Sequence, residues 1–132
     1  MSAVGVMCMS RYENTGRVGY RTLIMKAADA YLDSLPGDGI DAWPLSFGQA
    51  ITLELAAFRI TARQKYHARA FKLGEIAVEK YFGDNPLPRA SLKTDHYEST
   101  TGADTLALAL TELHLSTRTI TVVRTPANTI DR

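Results

Sequence analysis

One cysteine in the 132 residues leaves Cys8 without an internal partner, so no disulfide within the chain holds the fold together. Three scattered histidines beside that thiol give no zinc set, and the expected metal and cofactor complement is none. Charge of one sign is scarce too. The 15 Lys+Arg face 14 Asp+Glu, a net +1 with both signs interspersed, which supplies no field for nucleic acid or an anionic membrane. Long hydrophobic runs are missing: Ile51 to Ile60 and Leu106 to Leu115 are interrupted by Glu54, Arg59, Glu112 and His114 and are too short to span a bilayer. There is no G-x-G-x-x-G, P-loop or H-E-x-x-H, and Asp38-Gly39-Ile40-Asp41 lacks the further ligands calcium needs. No secretory h-region with a cleavage site stands before Arg11, so the chain as it stands is expected in the cytoplasm.

What is present is 45% hydrophobic and 22% charged residues, the balance of one globular domain with a core of its own. Residues 1–19 show no sustained periodicity and read as an N-terminal arm; residues 20–118 read as a helical domain; residues 119–132 read as an extended tail, with β-branched residues alternating from Thr119 to Val123. Within the domain, Ile24, Ala28, Tyr31 and Leu35 recur at helical spacing until Pro36-Gly37-Asp38-Gly39 stops the pattern. Ser46 with Gln49 has capping-box spacing and opens a helix carrying Ile51, Leu55 and Phe58, apolar nearly all round. Thr61 with Gln64 repeats that spacing, which predicts a third helix to about Phe82, with Tyr66, Ala70, Leu73, Ala77 and Tyr81 inward. Almost no loop separates the two, so they should form an antiparallel hairpin. Thr101 with Asp104 opens a fourth helix, again dry, ending near Leu115.

The second of these helices slides onto the fourth at a shift of 55 residues, placing Ser46 on Thr101, Ile51 on Leu106, Leu55 on Leu110 and Phe58 on Leu113. A dry helix recurring with a wet one between is the pattern of stacked hairpins in two layers. Barely two units are present, and stacked repeats need covered ends, so the chain should either self-associate as a homo-oligomer or be part of a longer helical array.

The same shift lays Asp41 on His96 and Trp43 on Glu98, so two polar-aromatic clusters precede dry helices at a common end. Asp41 with Glu98 would be the carboxylate pair for glycoside hydrolysis. Tyr97 or His96 would be the base for polysaccharide β-elimination, with Lys93 or Arg89 neutralising the sugar acid and Asp95 beside them in the binding set. Trp43 would stack a sugar ring in either chemistry. The basic residues Arg63, Lys65, Arg69 and Lys72 are offset by Glu75 and Glu79 without an aromatic ladder, so they read as a solvated face. His67 reads as a surface residue on it.

The run Trp43-Pro44-Leu45-Ser46-Phe47-Gly48-Gln49-Ala50, the outer-helix start from Thr61 to Tyr66, then Pro86-Leu87-Pro88-Arg89-Ala90-Ser91 and Asp95-His96-Tyr97-Glu98 before Thr101 to Leu115 resemble the closing hairpins of an α/α toroid. The resemblance is to six-hairpin glycosidases and polysaccharide lyases. It implies an all-α partial toroid of about two hairpins that binds or acts on polysaccharide. The alternative from the residues is a non-catalytic helical-repeat module for protein interaction or self-association.

Overall fold

A computed structural model describes residues 2–37 and 40–118. They form five helices, α1 (Ser2–Thr15), α2 (Val18–Tyr31), α3 (Pro44–Thr61), α4 (Gln64–Tyr81) and α5 (Ala103–Arg118), with a short 3-10 turn at Ser99–Thr101. The chain is therefore all-α over the described residues. The extended tail over 119–132 lies outside them, as do Asp38 and Gly39 of the predicted stop.

The assignment of residues 1–19 to an arm needs correction, because most of that segment is α1. Its buried residues Ser2, Gly5, Val6, Cys8 and Met9 include two, Ser2 and Gly5, that are too small to register as apolar in a sequence pattern. Small size is what the packing uses: a Cβ at Gly5 would sit 2.8 Å from Leu53 Cδ1 and 3.0 Å from Ala27 Cβ. Helix α2 is also shorter than its periodicity suggests. It stops at Tyr31, where Arg69 of α4 donates from Nε to the Tyr31 carbonyl and from Nη2 to the Ser34 carbonyl, both at 2.6 Å. A guanidinium thus satisfies carbonyls that the helix end leaves over, so Arg69 is no part of a merely solvated face.

Three capping hydroxyls read from the sequence do not cap. Trp43 holds the N-cap position of α3 with Pro44 in the first turn, and Arg63 that of α4, neither with a side-chain cap bond. Thr61 Oγ1 instead donates to the Ala57 carbonyl at 2.7 Å, and Thr101 Oγ1 to the Glu98 carbonyl at 2.8 Å. Threonine has a backbone acceptor within reach on its own chain, and that local bond competes with the cap.

Helix α3 runs through the middle, and its all-round apolar composition follows from serving two cores. Ile51, Leu55 and Phe47 face Ala70, Leu73 and Tyr81 of α4 and Leu106 and Leu113 of α5. Leu53 and Ala57 face Val6 and Met9 of α1 and Ile24 and Ala28 of α2, joined by Tyr66. Each large aliphatic side chain so buried contributes about 1.5 to 3 kcal/mol, so loss of α3 would dissolve both cores together. Helix α4 returns antiparallel to α3, with Phe58 against His67 near one end at 5.0 Å and Phe47 edge-on to Tyr81 near the other at 5.6 Å between ring centroids. His67 is correspondingly half-buried and shares a 3.0 Å hydrogen bond with Ser116, so it is not a free surface residue.

Helices α3 and α5 are parallel neighbours, in contact from their starts. The backbone of Thr105 and Leu106 crosses so close to Gly48 that a Cβ there would lie 2.9 Å from it. Gly102, at φ 80°, turns the chain into α5, and a Cβ on it would meet that of Leu45 at 2.6 Å. Only glycine suits both demands at Gly102, a left-handed backbone and no side chain. Substitution Gly48→Ala forces backbone apart and is expected to cost about 1 to 3 kcal/mol, read as a lower urea midpoint with an unchanged slope.

Candidate functional site

Pairing of α3 with α5 sets their preceding segments at one end of the molecule, and the connection from Gly83 to Thr101 is folded there by specific bonds. Arg89 N–H donates to the Tyr81 carbonyl at 2.8 Å, Ala90 N–H to the His96 carbonyl at 2.8 Å, and Ser91 N–H to the Thr94 carbonyl at 3.4 Å. Ala90 and Ser91 are buried. The loop is thus closed on itself and held against the end of α4.

Asp41 is the clasp between this loop and the approach to α3. Its Oδ2 accepts from Ser91 Oγ at 2.8 Å and its Oδ1 from the Lys93 N–H at 3.2 Å. Ser91 Oγ in turn accepts from the N–H groups of Lys93 and Thr94 at 3.2 and 3.1 Å. Beside Asp41, the Ala42 carbonyl accepts the phenol of Tyr81 at 2.9 Å. Burial pushes that phenol's pKa up, and the nearby charge of Asp41 adds to the effect, so Tyr81 stays a donor at any ordinary pH.

The remaining residues singled out from the sequence stand outward. Trp43 is 49% exposed and Tyr97 48%, unusual for large aromatics in so small a domain. His96 Nε2 lies 3.8 Å from Glu98 Oε2, and Glu98 Oε1 accepts from Thr100 Oγ1 at 2.7 Å. Arg89 Nη2 pairs with Asp95 Oδ1 at 3.1 Å. Lys93 is exposed, its backbone committed to the clasp and its ammonium on the surface. Asp41 and Glu98 are tied to different partners, Asp41 to the loop and Glu98 to its own neighbours. The end of the molecule therefore offers aromatic faces, a cation and an imidazole–carboxylate pair on a hydrogen-bonded loop.

Two buried features were missed as sites. Glu54 of α3 is fully buried with neither carboxylate oxygen hydrogen-bonded. Arg59 of α3 makes an ion pair through Nη1 with Oε1 of Glu112, which is itself fully buried on α5. The signal for both was a charge inside a helix otherwise apolar all round, where there is no wet face for it to occupy. Among the described residues no three His, Cys, Asp or Glu side chains converge in a way that could hold a metal ion, and no helix is long and apolar enough to cross a membrane. Comparison with protein-family models, with curated proteins and with solved structures finds no match to this chain.

Proposed function

We propose that this chain is a carbohydrate-active domain of the α/α-toroid type, and that the end bearing Trp43, Lys93, His96, Tyr97 and Glu98 binds polysaccharide. The observation that carries the reading is the half-exposed indole of Trp43 at the start of α3, beside a loop that Asp41 clasps in place. An aromatic face next to fixed polar groups is the surface on which a sugar ring stacks through its C–H groups while its hydroxyls are hydrogen-bonded. The toroid reading is supported by two parallel rods, α3 and α5, packed directly side by side, with α4 running back antiparallel against α3.

Binding is favoured over catalysis by the carboxylates. Hydrolysis would need Asp41 to approach the scissile bond, yet both of its oxygens accept bonds from the loop. Asp41 is then a positioning residue. His96, Tyr97 and Glu98 are the exposed groups available for proton transfer, and the Lys93 ammonium suits a sugar carboxylate, which points to acidic polysaccharide.

Calorimetric titration with a polyuronate and with a neutral glucan tests this. Trp43→Ala is expected to weaken polyuronate binding roughly tenfold while leaving the helical circular dichroism and the melting midpoint nearly unchanged, since half of the ring faces solvent. Equal binding by the variant, or no binding of either polymer by the parent chain, overturns the reading.

A further inference from the structure

Two apolar grooves open on the helices packed around α3, and the charged side chains that line them are of opposite sign. One lies between α4 and α5, where Phe71 and Val78 stand 47% and 49% exposed above Leu110 and Leu113. Its charged lining residues are Glu75 and Glu79, with His114 across from them. The other lies where α1 meets α2, with Val4 and Met7 58% and 55% exposed and Tyr20 at the side. Its charged lining residue is Arg11, and exposed Arg17 and Arg21 follow on the adjoining turn and on α2. The two grooves are close in size, about 530 and 580 Å³.

We infer that the α4/α5 groove of one copy takes the α1/α2 groove of a second copy, giving a head-to-tail self-association. The choice of occupant follows from the charges. Either groove set against itself would bring like charges together, Glu75 and Glu79 against their own kind or Arg11 against Arg11, whereas unlike grooves place the arginine among the glutamates. The apolar side chains make the complementary fit: Phe71 and Val78 lie two helical turns apart on one ridge, and Val4 and Met7 one turn apart on the other. Contacts of this kind use different surfaces on the two copies, so each copy keeps one groove open and the assembly either extends or closes as a ring.

Sedimentation of the full chain over a concentration series, at low and high salt, tests the proposal. Self-association should rise with concentration and weaken as salt screens the rims. Val78→Asp blocks one groove and Met7→Asp the other; each alone should reduce association by about tenfold or more. An equimolar mixture of the two should form a dimer that grows no further, because one intact groove of each kind remains. Charge reversal gives an independent pair on exposed rim positions: Glu79→Lys and Arg11→Glu should each weaken association, and mixing them should restore it. A parent chain that stays monomeric to about 1 mM overturns the proposal. So does an oligomer that survives either groove variant, or a mixture no more associated than its components.

Discussion

Raising the pH from 6 to 8 is expected to lower the stability of this protein by roughly 2 kcal/mol, and Glu54→Gln to abolish most of that slope. Burial pushes the Glu54 carboxyl from its ordinary value of 4.5 up to about 8, against the pull of Arg69 and Lys65 and with a further push from Asp29. In the unfolded chain the same group ionises near 4.5. Between those two values the folded state keeps a proton that the unfolded state has released, so each added pH unit favours unfolding by about 1.4 kcal/mol. The contribution is complete below pH 4.5 and is lost as pH passes 8. Urea unfolding midpoints taken at each pH, parent against variant, isolate this group from every other that titrates. Parallel profiles would mean that Glu54 is already ionised inside the fold.

Removing one partner of the Arg59–Glu112 pair has the second large effect. Glu112 has no exposed side-chain surface and Arg59 only 20%, with its Nη2 buried and unbonded. Glu112→Ala therefore leaves a cation largely cut off from water and is expected to cost about 3 to 5 kcal/mol. Replacing both partners, Arg59→Met with Glu112→Leu, removes the stranded charge along with its partner and should recover most of that loss. Chemical denaturation of Arg59→Met, of Glu112→Leu and of the double variant completes the cycle. A double variant as unstable as Glu112→Ala would show that the cost lies in lost packing rather than in the uncompensated guanidinium.

How far the site could be read in advance differs from residue to residue. That Asp41 and the run from Arg89 to Glu98 belong to one end was legible, because each precedes a dry helix at a fixed shift and parallel neighbours share their ends. The role of Asp41 was not legible. Whether a carboxylate is free for chemistry depends on which N–H and O–H groups reach it, and its donors, Ser91 and Lys93, stand some 50 residues further along the chain. Whether Trp43 is buried or exposed was not legible on sequence alone; its 49% exposure shows that it is not a buried plug.

Amphipathic spacing alone was enough to determine that residues 20–118 carry helices, that α4 has one wet side and that α3 is buried, since hydrophobic periodicity acts along a single helix. Glu54, Arg59 and Glu112 were legible as charges that interrupt otherwise apolar runs. Tertiary structure decided what happens to them. Glu54 is left without a hydrogen bond, Arg59 meets Glu112, and Arg69 leaves the solvent to cap α2, because each outcome depends on which helices are neighbours. The same holds for α1, whose contact uses Ser2 and Gly5 beside Val6 and Met9, too few large side chains for periodicity to detect. Burial and pairing are properties of the space between helices, and a linear pattern records only the face that a helix must cover, not what covers it.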